Sequence, residues 1–236
     1  MNLLRFDSPA AWTACLASLW RDRLRVNPRL RQCLPAGNTP KPVFAAMLES
    51  VRRGQVSFRE SEIFMLDEYG DLAPDDPGRC ANTVRHCLVD HIDVGAFQFL
   101  DTTAPDLDAV CRAYETAIGP GFDLAILGVG LNGHLGLNEP GSAPGSLTRR
   151  IEMHPASVAA SQQYLTHAHT PTWGATVGLK RLLESKEVWL LATGAAKAGI
   201  VRRLIHGPAD ISVPASLMQH HPNCCLFLDA DAVSGL

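Results

Sequence analysis

Three apolar runs most constrain what this chain can fold into: DLAILGVG (123–130), VWLLATG (188–194) and CCLFLDA (224–230). None alternates apolar with polar residues, so none reads as a strand with one face in water. Short continuous runs bounded by Gly or Asp suit strands buried on both faces of a parallel sheet. Helical spacing fills the chain between and before them. Trp12, Cys15, Leu16, Leu19 and Trp20 share one helical face. So do Val43, Ala46, Met47 and Val51, in a helix whose first turn tolerates Pro40 and Pro42. Further helices are expected through Val84, Cys87, Leu88 and His91, over 105–119, and through Ile200, Val201, Leu204 and Ile205. Ile63–Leu66 reads as a strand leading into a polar loop, and Cys33-Leu34-Pro35 as a short apolar link into AGNTP. The alternation predicts an α/β fold with a mainly parallel sheet, in a single domain over 1–236.

Composition removes several function classes. A net charge of −3 gives no basic footprint for nucleic acid. No apolar run is long enough to span a bilayer, and MNLLRFDSPAAW lacks the pattern of a secretory signal. The seven cysteines are scattered without a CxxC pair, as expected for reduced thiols in a cytoplasm. His167/His169 and His220/His221 have no Cys or carboxylate partners at ligand spacing. They read as solvated loop residues, and no metal site is expected.

Ligands of such sheets bind beyond the carboxyl ends of the strands. Four loops there carry chemistry-bearing residues: AGNTP (36–40), DEYGD (67–71), GVGLNGHLGLNEPG (128–141) and TGAAK (193–197). AGNTP and TGAAK each lead a Gly- and Thr-containing loop into a helix. Free backbone N–H groups and the helix dipole would favour an anion there, with Thr39 adding a hydroxyl and Lys197 a charge. Plain helix capping explains either loop equally well. Asp67 and Glu68 leave an apolar strand, where desolvation can raise a carboxyl pKa and make a base, although a solvated loop acid fits as well. His134 is the natural proton shuttle of its loop. Glu139 and the Asn132 carbonyl are placed to accept from its ring nitrogens. The glycines around them indicate a backbone that turns tightly or comes close to something.

PAGNTP, MLDEYGDL, LGVGLNGHLGLNEPG, TVGLKRLLESKEVWLLATGAAK and SVPASLMQHHPN together resemble the glucosamine-6-phosphate deaminase/isomerase family, within it most the galactosamine-6-phosphate isomerase branch. The likeness runs from about Pro35 to Asp229, and NGHLGLNEPG is its most specific part. It implies a three-layer, Rossmann-like α/β fold. It also implies conversion of an amino-sugar 6-phosphate to a ketose 6-phosphate and ammonia, without metal or organic cofactor. The only partner implied is the small-molecule sugar phosphate, with no nucleic acid and no membrane, and assembly into a homo-oligomer is compatible with it. By the same likeness Asp67 is the base moving a proton between C2 and C1, and His134 with Glu139 opens the sugar ring. Gly37, Asn38, Thr39 and Lys197 fall on phosphate-binding positions, and the loop glycines let backbone approach the open sugar chain.

Two positions depart from the family's commoner pattern. Asn132 stands where aspartate is usual; an amide cannot stabilise imidazolium by charge, and in a Ser-His-Asp triad that exchange costs about four decades. Glu139 remains, and the galactosamine branch also has asparagine, so the resemblance points to altered specificity. An arginine expected near Ser161-Gln162-Gln163 is missing, with Arg149 and Arg150 the nearest in sequence. Two other functions compete with this one. A 6-phosphogluconolactonase shares the implied fold but usually carries a DGHTAS-type segment without NEP. A sugar-phosphate sensor of the repressor type would need a helix-turn-helix, for which an N-terminal arm of about thirty residues with one helix is too short.

Overall fold

The computed structural model describes residues 1–165 and 170–234. Seven strands form one all-parallel sheet: β1 (Asn2–Phe6), β2 (Arg31–Leu34), β3 (Phe58–Met65), β5 (Val94–Gln98), β6 (Leu124–Gly128), β9 (Val188–Ala192) and β10 (Cys224–Asp229). Their spatial order is β1-β10-β9-β6-β2-β3-β5. A smaller antiparallel sheet, ordered β4-β8-β7, is built from β4 (Asp67–Tyr69), β7 (Arg149–Glu152) and β8 (Trp173–Thr176). The helices are α1 (Pro9–Val26), α2 (Lys41–Arg52), α3 (Cys80–Cys87), α4 (Leu107–Ile118), α5 (Pro155–Ser161), α6 (Leu179–Leu183) and α7 (Ala198–His206).

The three apolar runs are the strands expected, and their side chains show why no alternation is visible. In β6, Leu124 and Ile126 pack with α1, α2 and α3, while Ala125 and Leu127 pack with α4, α6 and α7 on the other face. Trp189 and Leu191 of β9 likewise face the first layer, Val188 and Leu190 the second. Each residue on a sheet with two covered faces meets a core, so every position selects for apolar character. The result is three layers, helices on both sides of a parallel sheet.

Several elements differ from the sequence expectation. Cys33-Leu34 is no link but the end of β2, at the centre of the sheet. Its polar Gln32 is fully buried, accepting from Trp20 Nε1 at 2.6 Å and donating to Ser61 Oγ at 3.3 Å. A satisfied amide in the core removes the apolar signature without removing the strand. DEYGD does not start as a loop: Asp67–Tyr69 pairs with Trp173–Thr176 as β4 against β8. The helix through His91 is interrupted at Leu88, where φ −147° and ψ −62° end α3 before a 3₁₀ turn at Val89–His91. The pair at 220–221 also divides. His220 is exposed, whereas His221 is buried, its Nδ1 accepting from Asn223 N at 3.1 Å and its Nε2 on Ser185 O at 2.8 Å. His167 and His169 lie outside the described residues.

The strand order fixes where a ligand can sit. From β2 the chain proceeds outward to β3 on one side, and from β6 it proceeds to β9 on the other. Beta2 and β6 are neighbours, so the loops after them diverge and open a crevice at the strand ends.

Candidate active site

A cleft of about 820 Å³ occupies that crevice. It is lined by Gly37, Asn38 and Thr39 after β2, Asp67 after β3, Gly128 at the end of β6 and His134 beyond it, and Lys197 after β9. The structure therefore brings six of the eight sequence-predicted site residues, from four separate loops, to one cleft, with Gly128 as an added member. Asn132 and Glu139 stand directly behind His134.

Asp67 is half-buried, and its carboxyl pKa is raised to about 7 by burial and then by the adjacent Glu68 charge. Glu68 points the other way along β4 and is fully buried. It accepts from the backbone N–H groups of Tyr69 at 2.9 Å, Cys80 at 2.8 Å and Ala81 at 3.0 Å, and faces the buried Arg79 guanidinium at 3.6 Å. The two amides at 80 and 81 are the first of α3, so Glu68 caps that helix from a different element. The acidic pair thus divides into one anchored carboxylate and one facing the cleft.

The loop after β6 folds around its histidine. A Cβ at Gly130 would lie 2.4 Å from the His134 ring, so glycine is required there for the ring to pack against the backbone. The close approach expected of these glycines is, at Gly130, an approach to the His134 ring. His134 Nδ1 lies 3.0 Å from Ser157 Oγ and 3.4 Å from Glu139 Oε2. Asn132 does not bond the ring as expected from sequence. Its Oδ1 accepts the His134 backbone N–H at 3.2 Å, and its Nδ2 donates to Glu139 Oε2 at 2.9 Å. Both partners fix the amide's orientation, because a backbone N–H only donates and a carboxylate only accepts. Burial alone would raise the Glu139 pKa, but hydrogen bonds from His134, Ser157 and Asn132 outweigh it and hold the carboxyl below its usual range.

At the opposite wall, Lys197 is half-buried, and its Nζ donates to Val129 O at 2.6 Å, leaving two protons of the ammonium for an anion. Burial lowers its pKa. Two of the TGAAK amides are already taken: the Gly194 N–H by the Asp229 carboxylate at 3.0 Å and the Lys197 N–H by Gly194 O at 3.0 Å. In AGNTP, Gly37 has φ +93°. A Cβ there would meet the Tyr164 hydroxyl at 3.3 Å. Lys41 Nζ donates to Asn38 Oδ1 at 2.8 Å.

Tyr164, Ser157 and Lys41 were not anticipated from the sequence; all three line the cleft. Ser161 and Gln163 also line it, at the place where an arginine was missing. Arg149 and Arg150 do not substitute for it. Arg149 donates to Asn138 Oδ1 at 3.0 Å and Ser142 Oγ at 3.1 Å, bracing the NEPG turn. Arg150 pairs with Glu152 at 2.8 Å and lies over the Trp173 ring at 4.5 Å. Among the described residues, no three His, Cys, Asp or Glu side chains gather as a metal site would require.

The model of a family described as glucosamine-6-phosphate isomerases/6-phosphogluconolactonase matches residues 9–226. A glucosamine-6-phosphate deaminase of Hahella chejuensis is 34% identical over 240 residues, covering 100% of this chain and 92% of the relative. The solved structure of a monomeric glucosamine-6-phosphate deaminase superposes with a TM-score of 0.95 at 28% identity, covering 99% of each chain. A 6-phosphogluconolactonase from Trypanosoma cruzi superposes with a TM-score of 0.79 at 21% identity, covering 100% of this chain and 96% of that one, a likeness of fold.

The Asp67 environment has a consequence for stability. An unperturbed aspartate ionises near 3.8, while the folded chain keeps this one neutral to about 7. Ionisation of Asp67 therefore opposes folding: its contribution is intact below the lower value and is lost as pH rises through the upper one. Asp67→Asn cannot ionise, so it is expected to raise the melting temperature by several degrees at about pH 8 and to leave it unchanged at about pH 4. Thermal melts of both proteins check this, and equal melting temperatures at about pH 8 would contradict it.

Proposed function

The chain belongs to the glucosamine-6-phosphate isomerase/6-phosphogluconolactonase family, and on that basis we propose that it is an amino-sugar-6-phosphate deaminase. The observation that carries the proposal is the placement of a carboxyl with a pKa of about 7, a carboxylate-backed histidine and a lysine around one cleft at the strand ends. In this account the phosphate lies between the Gly37–Thr39 loop at the start of α2 and the Lys197 ammonium. His134 moves a proton between the ring oxygen and the C1 hydroxyl, opening the sugar to its aldehyde. Asp67 removes the C2 proton and returns it to C1, which leaves an imine at C2. Water adds to that imine and ammonia leaves, giving the ketose 6-phosphate. A base with a pKa near neutrality is suited to both taking and returning a proton.

The names of the curated relatives support glucosamine 6-phosphate as the substrate. Galactosamine 6-phosphate is the second reading; it rests on the resemblance at Asn132, whose amide here donates to Glu139 behind His134. The seven free cysteines support a reducing, cytoplasmic setting, and no helix among the described residues is long and apolar enough to cross a membrane.

Ammonia release measured with glucosamine 6-phosphate, galactosamine 6-phosphate and 6-phosphogluconolactone tests the proposal. Turnover of an amino-sugar phosphate is expected, and Asp67→Asn is expected to reduce it by about two to four decades. Release of acid from the lactone with no ammonia from either sugar would overturn it. Lys197→Ala is expected to raise KM at least about tenfold with a smaller change in kcat, because the phosphate carries the same charge in ground and transition states. Steady-state kinetics distinguish this from a fall in kcat at constant KM, which would place Lys197 in the chemistry instead.

A further inference from the structure

We propose that Ser157 is a positioning residue that holds the protonated Nδ1 of His134, leaving Nε2 as the nitrogen that serves the reaction. The proposal rests on the reading of His134 as the ring-opening group.

Glu139 is buried and held in its ionised form, so it only accepts. It receives the Asn132 amide at 2.9 Å on Oε2 and the His154 backbone N–H at 3.2 Å on Oε1, and its Oε2 lies 3.4 Å from His134 Nδ1. A carboxylate brings no proton of its own, so the proton on that edge of the ring sits on Nδ1. The Ser157 oxygen lies 3.0 Å from His134 Nδ1, closer than Glu139 Oε2 at 3.4 Å. Facing a protonated Nδ1, that oxygen accepts and is the nearer of the two acceptors. Nε2 lies on the other edge of the ring beside Gly130, among the residues lining the cleft. Which ring nitrogen is protonated follows from the bond the other end makes, and here two acceptors converge on Nδ1.

Ser157 is 5% exposed and sits on α5, an element that shares no strand or turn with the His134 loop. Its Oγ is thus a fixed point against which the ring is oriented. Without it Nδ1 would retain only the longer contact to Glu139, and the ring would swing toward the carboxylate. A displacement of a reacting group by about 1 Å can cost about a hundredfold in rate. The smaller rearrangement available here, with Glu139 still present, sets the expectation at about tenfold.

The test uses the whole protein labelled with ¹⁵N-histidine, with the His134 signals assigned by difference from His134→Gln. At about pH 8, where imidazole is mostly neutral, the wild type is expected to show a protonated Nδ1 and an unprotonated Nε2. A protonated Nε2 would overturn the proposal, since Ser157 would then be donating to the ring. Ser157→Ala is expected to move the His134 Nδ1 signal and lower kcat for ammonia release about tenfold, with KM held within about twofold. Ser157→Thr, which keeps the hydroxyl, is expected to restore both. An unmoved signal with unchanged kcat in Ser157→Ala would also overturn it. Should the wild type release no ammonia, the assignment of function fails, while the wild-type and Ser157→Ala spectra still decide the tautomer.

Discussion

The site depends on one buried carboxylate that does not face the cleft. Glu68 accepts three backbone N–H groups and lies against Arg79, two of those amides being the otherwise unpaired first donors of α3. This ties the short strand β4 to the helix that walls the cleft. A buried ion of this kind survives only when its lone pairs are occupied, and removing one partner of such a pair typically costs about 3–5 kcal/mol. The same anchoring sets the chemistry next door. Asp67 follows the sheet's pleat to the opposite side, into a half-buried position beside a fixed negative charge. Burial and that charge both disfavour its ionised form, so its pKa is raised.

The histidine is treated in the opposite way. Glu139 is kept ionised by a ring of donors and presents negative charge to His134, with Ser157 inserted at the shorter distance. Asn132 acts on the carboxylate rather than on the imidazole. An aspartate in its place would set two carboxylates within hydrogen-bond distance, and one of them would have to hold a proton. The amide avoids that conflict, and its contribution is to fix Glu139. One carboxyl with raised affinity for protons and one with lowered affinity are thus supplied by adjoining loops, a separation suited to distinct acid–base roles.

How much of this could be read from the sequence depended on whether the signal was local. Beta6, β9 and β10 were legible because both of their faces meet a core, which leaves uninterrupted apolar runs. Beta2 was not, since Arg31 and Gln32 interrupt it and the burial of Gln32 depends on Trp20 from a helix. The strands of the small sheet are three or four residues long, and β4 and β7 are mostly charged, so no period could establish itself. Among site residues, the cleft-lining loops were recognisable from their glycines and their strand-end position. The direction of the Asn132 amide was not, because it depends on Glu139 closing back on it. The contacts of Ser157 with His134 and of Tyr164 with Gly37 are made across 23 and more residues, and PASVAAS carries no periodic or motif signal that would reveal them.

The central claim is that β4 holds one carboxylate in the core so that its neighbour faces the cleft with a proton affinity matched to neutral pH. The most direct measurement is a ¹³C-carboxyl NMR titration of the protein labelled at aspartate, with the Asp67 resonance assigned by its absence in Asp67→Asn. The account predicts a midpoint for Asp67 near 7. A midpoint near 4, the value of a solvated aspartate, would contradict it.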